Sequence, residues 1–282
     1  MAPKTALITG ASSGFGLLTA VTLARRGWRV LATMRDVGRR EKLDAAAKAA
    51  GVADRVEVMA LDVTNAEQVA ECAARVGARG EPLHALINNA GFAMAGFAED
   101  VTDAELRRQF DTNFFGAAAM TRAVLSQMRR QGFGHIVMVS SVSGRMGFPG
   151  VGSYSASKFA LEGWTETLRF EVKAQGIQVA IVEPGAYETD IWTRNAVLAA
   201  GLTDPESENA ARSSRWRTAM NKSTEKRADP QIVAETIASI VENKKPRLRY
   251  VLGRDAKMGL TMRRLLPESV FERFVMKAMG VD

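Results

Sequence analysis

Tyr154 and Lys158 stand four residues apart in Tyr-Ser-Ala-Ser-Lys, a spacing that on a helix sets a phenol and an ammonium on one face. A hydride moved to or from a carbonyl needs a proton donor or acceptor beside it. A phenol with an ordinary pKa of about 10 fills that role near neutrality only when positive charge lies against it. Lys158 and a bound nicotinamide ring would both bring such charge. A lone pair of this kind is most often a surface pair, but this one comes thirteen residues after Ser141, in the run Val139-Ser140-Ser141 at the end of an apolar segment.

A second cluster lies near the amino terminus, where Thr9-Gly10-Ala11-Ser12-Ser13-Gly14-Phe15-Gly16 separates a short apolar run from a helical pattern. Glycine lets the backbone pass close to a phosphate there, and the N–H groups of the following helix point at it. The GxxxGxG spacing is wider than the GxGxxG of most dinucleotide folds, so position in the first βαβ unit carries the inference. At the end of the next strand an acidic residue would bind a ribose 2′-hydroxyl and a basic one a 2′-phosphate. Counting from Gly27 puts Met34 at that position with Arg35 after it, which favours NADP(H). NAD(H) is the alternative, if Asp36, one register on, meets the ribose.

The elements that must position these residues follow from periodicity. Apolar runs at 4–9, 29–34, 56–61, 85–88, 135–140, 178–182 and 248–252 read as strands, and 15–26, 40–50, 66–76, 103–130 and 153–175 as helices. The alternation predicts a doubly wound parallel α/β sheet of about seven strands, with ligands at the carboxyl ends of the strands. The division expected is a domain over 1–253 and a basic amphipathic extension over 254–282. Within the domain, 186–229 is expected to be a polar lid that buries little apolar area and closes over ligand. In the extension Pro267 separates Met258/Met262/Leu265/Leu266 from Val270/Phe271/Phe274/Val275, and both pieces are expected to pack as a wall of the substrate pocket, with a membrane-surface contact the less favoured reading.

Composition narrows the function classes. The 282 residues are 46% hydrophobic and 24% charged, as in ordinary globular chains. The single cysteine, Cys72, rules out an internal disulfide and a thiolate zinc cage, and two histidines, His84 and His135, leave little for a metal site. Both histidines read as structural, as do Trp28 and Trp164, whereas Trp192 beside Thr189 would wall the pocket. Of the net charge of +7, the stretch from 244 to 282 supplies ten Lys/Arg against four Asp/Glu. The rest is nearly balanced, which argues against a nucleic-acid partner. With no long apolar run and no signal-like amino terminus, a cytoplasmic location is expected.

Taken together the chain resembles the short-chain dehydrogenase/reductase superfamily, in the branch with hydroxysteroid and retinol dehydrogenases. The resemblance rests on Thr9-Gly-x-x-x-Gly-x-Gly16, Asp62-Val63, Asn88-Asn89-Ala90-Gly91, Asn113, Ser141, Tyr154-x-x-x-Lys158 and Pro184-Gly185 with Thr189. It implies a Rossmann-type sheet and a catalytic set of Asn113, Ser141, Tyr154 and Lys158. Tyr154 would be the general acid or base, Lys158 would bind the nicotinamide ribose, Ser141 would hold the substrate oxygen, and Asn113 would hold a relay water. Cofactor contacts are implied for Gly10, Ser12, Ser13, Gly14, Phe15, Gly16, Arg35, Asp62, Val63, Asn89, Ala90, Gly91, Pro184, Gly185 and Thr189. The thirteen-residue spacing selects Ser141 over Ser140. A small-molecule carbonyl or alcohol substrate and a homodimer or homotetramer are implied as well. Rival readings are a 3-oxoacyl-thioester reductase, which the long tail weakens, and a silent dinucleotide sensor, which has no reason to keep all four catalytic types.

Overall fold

This computed structural model describes residues 3–189, 191, 196–223 and 227–282. Apolar runs covered on both faces become the strands of a central sheet. These are β1 (Thr5–Ile8), β2 (Arg29–Met34), β3 (Val56–Ala60), β4 (Leu83–Asn88), β6 (Gly134–Val139), β7 (Ile177–Pro184) and β9 (Arg249–Leu252). The sheet has seven strands in the order β3-β2-β1-β4-β6-β7-β9, all neighbours parallel. A separate pair joins β5 (Ala93–Ala95) to β8 (Ala196–Leu198).

Alternation along the strands distributes the core between two layers. Ala6 and Ile8 of β1 pack with Leu23 of α1 (Gly14–Arg25), Leu43 of α2 (Glu41–Ala49) and Ile237 of α9 (Gln231–Glu242). Leu7 faces the other way, toward Val69 of α3 (Ala66–Ala78), Met120 of α5 (Ala117–Gln131) and Leu161 of α6 (Gly152–Val172). Strand boundaries lie within about two residues of those expected from the sequence. The histidines and tryptophans are structural where described: His84 Nδ1 accepts from Thr5 N at 3.1 Å, and Trp28 is 3% exposed.

Three expectations change. The helix read over 103–130 is α4 (Asp103–Phe110), a π-helical turn over Asp111–Gly116, and then α5. A 3.6-residue periodicity does not reveal one wide turn, and such turns gather at functional positions. The polar stretch over 186–229 holds, besides β8, the helices α7 (Ala200–Thr203) and α8 (Ala210–Ser223). It also buries apolar residues, with Ala199, Leu202 and Trp216 at 0, 2 and 3% exposure. Trp216 Nε1 donates to Pro149 O at 2.8 Å, so one aromatic anchors a helix whose other residues are mostly polar. Trp216→Ala should therefore destabilise the fold by about 3 kcal/mol or more, read by urea denaturation; a change under about 1 kcal/mol would contradict this anchoring.

The third change is in the tail, which forms α10 (Arg254–Leu265) and α11 (Glu268–Met279) with Pro267 between them. Ala256, Leu260 and Phe271 pack against Val142, Met146 and Phe148, while Met258 and Phe274 stay 58 and 45% exposed. Each piece thus seats one apolar face on the domain and leaves another in solvent. Among the described residues no helix is long and apolar enough to cross a membrane.

Candidate active site

In a doubly wound sheet the chain leaves its central strands in opposite directions, and a crevice opens at their carboxyl ends. Here β1 and β4 are those strands, and above them lies a cleft of about 390 Å³. Of the residues singled out from the sequence, the turn residues Gly10, Ser12, Ser13, Gly14 and Phe15 line it, with Asp62, Val63, Asn89, Ala90 and Gly91. So do Arg35, Ser141, Tyr154, Lys158, Pro184, Gly185 and Thr189. Gly16 and Asn113 stand behind it.

The glycine turn is shaped by close approaches. Gly10 has φ +69°, and a Cβ there would come 2.7 Å from Ala90 Cα. A Cβ at Gly16 would meet Gly10 O at 2.3 Å and Asn89 Nδ2 at 2.4 Å, so Gly16 serves the packing of helix on turn. Asn89, expected near the ribose, uses its amide to hold this turn, with Nδ2 donating to Thr9 O at 3.0 Å and Gly10 O at 2.8 Å. Thr9 Oγ1 accepts from the Asn89 and Ala90 N–H groups, both at 3.0 Å. The N-cap residue of α1, Ser13, does not cap the helix with its own side chain, and N–H groups at such a helix end suit an anion.

At the β2 end of the cleft Met34, Arg35 and Arg39 line the wall. Asp36 does not. Its carboxylate accepts from Gly38 N at 2.9 Å and pairs with Arg39 Nε at 3.6 Å, so the residue on which NAD(H) would depend is turned into its own loop. Asp62 accepts from Thr64 N at 2.9 Å and Thr64 Oγ1 at 2.7 Å, which fixes the bend after β3.

At the inner end, Ser141 caps a single 3₁₀ turn, accepting from Ser143 N at 3.1 Å, and it hydrogen-bonds the Tyr154 hydroxyl. Ser140 also lines the cleft, but its Oγ lies toward Gly144. Lys158 Nζ donates to Val139 O at 2.8 Å and lies 5.8 Å from the Tyr154 ring centre. Asn113, on the π turn, accepts from Phe92 N and donates to Phe92 O and Ser157 Oγ, each at 3.1 Å. A Cβ on Gly91 would be 3.0 Å from Asn113 Oδ1 and 3.8 Å from Lys158 Nζ, so the fourth-strand loop, π turn and α6 converge on one spot.

Burial governs both titrating groups. It pushes the Tyr154 phenol up to about 12 against the hydrogen bond from Ser141, and it brings the Lys158 ammonium down to about 8 against the favourable charge of Glu162. Acid–base work by this phenol near neutrality therefore calls for a cation on the cleft side in addition to Lys158.

Several lining residues escaped the sequence reading. Arg39 sits one short turn past Arg35; Tyr187 stacks edge-on against Phe15 at 5.8 Å; Phe92, Ile191, Ala196 and Val197 supply apolar wall. Only for Tyr187, three residues after Pro184, did the sequence hold a signal. Trp192, expected to wall the pocket, lies outside the described residues. No tail residue is among those lining the cleft; α10 and α11 pack on Met146 and Phe148, and Met279 and Val281 join the cluster that holds Tyr154, Ile191 and Trp216. A further link runs through Asp255 Oδ2, which accepts from Ala186 N at 2.7 Å beside Gly185.

A family model described as short chain dehydrogenase matches residues 4–197. Among curated relatives, the uncharacterized oxidoreductase YusZ of Bacillus subtilis is 40% identical over 282 residues, covering 99% of each chain. Human retinol dehydrogenase 8 is 38% identical over 255 residues, covering 88% of this chain and 81% of its own. A crystal structure of a short-chain dehydrogenase from Streptomyces avermitilis superposes with a TM-score of 0.82 at 35% identity, covering all of both chains.

Proposed function

The chain belongs to the short-chain dehydrogenases and is an NAD(P)-dependent oxidoreductase, and we propose that it interconverts a ketone or aldehyde with an alcohol on a bulky apolar small molecule, using NADP(H). The observation that carries this reading is the meeting of Ser141, Tyr154 and Lys158 at one end of a cleft whose other end holds Arg35 and Arg39. A dinucleotide fits the residues present: a glycine cradle, the N–H groups at the start of α1 and two guanidiniums lie along one crevice. NADPH, when bound, supplies the hydride.

What the chain does is hold oxygen and move a proton. Tyr154 donates its hydroxyl proton to the substrate oxygen in reduction and takes one back in oxidation. Ser141 donates a hydrogen bond to the same oxygen and fixes it against the phenol. The Lys158 ammonium favours the phenolate form of Tyr154 and offers a donor to a ribose hydroxyl. Asn113 and the π turn hold the loop at Phe92 against α6, so the floor of the site is rigid. Gly10, Ser12, Ser13, Gly14 and Phe15 would hold the phosphates of a bound dinucleotide, Asp62 and Val63 would contact its adenine, and Pro184, Gly185 and Thr189 its carboxamide.

An apolar substrate is supported by Phe92, Ile191, Ala196 and Val197 around the outer cleft, and by the retinol named for a relative. Part of the 186–229 segment, through Ile191, Ala196 and Val197, is then the substrate-side cover. A homo-oligomer is supported by Phe115, Phe159 and Phe170 on the π turn and α6, which are 55, 42 and 70% exposed. The test is a panel of ketones, aldehydes and alcohols of graded size with NADPH or NADP⁺, followed at the nicotinamide absorbance. Bulky apolar ketones should give the higher kcat/KM; turnover of none of them would overturn the proposal.

A further inference from the structure

Directly behind Ser141 and Lys158 lies a set of charges that the reaction above does not use. Glu183 on β7 and Glu162 on α6 have side chains only 0 and 5% exposed. Both reach the same atom, Arg249 Nε on β9, Glu162 at 3.1 Å and Glu183 at 3.2 Å. Glu183 has a second cation, Arg145, whose Nη1 donates to its two oxygens at 3.2 and 3.3 Å. The other arm of Arg249 is taken by Glu166 at 2.8 Å.

Three carboxylates thus share two guanidiniums, and two buried ones share a single nitrogen. Like charges so placed are costly to ionise together, and the carboxyl with less positive charge against it takes the proton. That one is Glu162. Its Oε1 and Ser140 Oγ are both buried and have no hydrogen bond of ordinary geometry, yet the Ser140 hydroxyl lies near enough to favour the Glu162 carboxylate. Both groups border the space at Gly144, where a Cβ would stand 2.8 Å from Ser140 Oγ and 3.0 Å from Glu162 Cγ. With the carboxylate charged the Ser140 hydroxyl is the donor across this space; with a proton on Oε1 the direction reverses and Oε1 donates to Ser140 Oγ. The site matters to chemistry because Ser140 precedes Ser141 and Glu162 follows Lys158 by one helical turn.

We propose that Glu162 is a positioning residue for proton transfer: as a carboxylate it keeps the buried Lys158 ammonium charged, and on taking a proton shared with Ser140 it withdraws that support. This rests on the roles given above to Tyr154 and Lys158. The charged and titratable groups around Glu162 are Lys158 and Glu166 on its own helix, Glu183 on β7, Arg249 on β9, and Arg145 after β6. Burial, followed by the charge of Glu183, pushes the Glu162 carboxyl up to about 7, while burial brings Lys158 down to about 8 against the charge of Glu162. The two therefore change charge in neighbouring pH ranges, and each favours the ionised form of the other.

The test is the pH profile of kcat/KM for ketone reduction at saturating NADPH. The alkaline limb marks loss of a proton from the coupled Tyr154–Lys158 pair, and in Glu162→Gln it should move about one unit to lower pH, while Glu162→Asp restores its position. A uniformly slower Glu162→Gln enzyme with an unmoved limb would overturn the proposal, since a merely structural role gives that result. An infrared titration of the NADPH complex compares wild type with Glu162→Gln, because burial also raises the Glu183 carboxyl: a protonated-carboxyl stretch present only in wild type should vanish as pH rises through about 7, and its absence below that pH, or its persistence in the variant, overturns the proposal equally. Tyr154→Phe separates the two levels. If it remains active the parent reading fails; if it is dead and the Glu162→Gln limb has not moved, only the role of Glu162 fails.

Discussion

Tyr154→Phe should lower kcat for ketone reduction at least about 100-fold and leave the NADPH dissociation constant within about twofold. The ring, 3% exposed, belongs to a cluster with Ala95, Val151 and Trp216, and phenylalanine fills that space equally well. What disappears is the oxygen that hydrogen-bonds Ser141 and carries the proton. Initial rates and a fluorescence titration with NADPH separate the two effects, and a variant retaining more than about a hundredth of the activity would remove Tyr154 from its role. Lys158→Met should instead impair both quantities, because the ammonium serves the phenol and a ribose hydroxyl together. The direction of pH dependence follows from the same group. Reduction needs the protonated phenol and slows as pH rises, whereas oxidation needs the phenolate and quickens. With burial pushing the phenol up to about 12, the crossover falls in a usable range only if cofactor charge and Lys158 together bring it down.

What could be read from the sequence was what local spacing encodes. The glycine turn and the Tyr154–Lys158 step depend on short separations, and strand positions on short runs that are mostly apolar. What could not be read depends on the third dimension. Glu162 and Glu183 are 21 residues apart and meet at Arg249 only because β7 and β9 are neighbours. The anchoring of α8 rests on Trp216 and Met220 in a polar stretch, too sparse a pattern to register as amphipathic. The π turn adds a residue that helical periodicity averages away. In the tail, apolar residues on two sides of each helix give no indication of which side meets the domain; that was decided by Met146 and Phe148 after β6.

Removing both guanidiniums from the adenosine end, in Arg35→Ala/Arg39→Ala, should raise KM for NADPH about 10- to 100-fold and leave KM for NADH within about twofold. A charge-assisted hydrogen bond to phosphate contributes roughly 1.5–3 kcal/mol, and each 1.36 kcal/mol is a factor of ten. The lower part of that span applies because both residues are largely in solvent, Arg39 with a side chain 70% exposed, where water and salt screen the attraction. Wild-type KM for NADPH should accordingly rise with ionic strength more steeply than KM for NADH. Arg35→Ala alone should show less than half the logarithmic effect, since Arg39 lines the same wall and can turn from Asp36 at 3.6 Å to the phosphate. The complementary change, Met34→Asp, is a poor way to create NADH preference even though counting from Gly27 puts Met34 where a ribose-binding acid would stand. Its side chain is 2% exposed in the layer with Leu43 and Ala47, so a carboxylate there would lose its hydration and destabilise the fold before it bound a hydroxyl. Discrimination is therefore expected to come from attraction to the 2′-phosphate and not from rejection of the bare ribose. An NADPH/NADH ratio of kcat/KM that stays unchanged in the double variant would show that the two arginines do not read the phosphate.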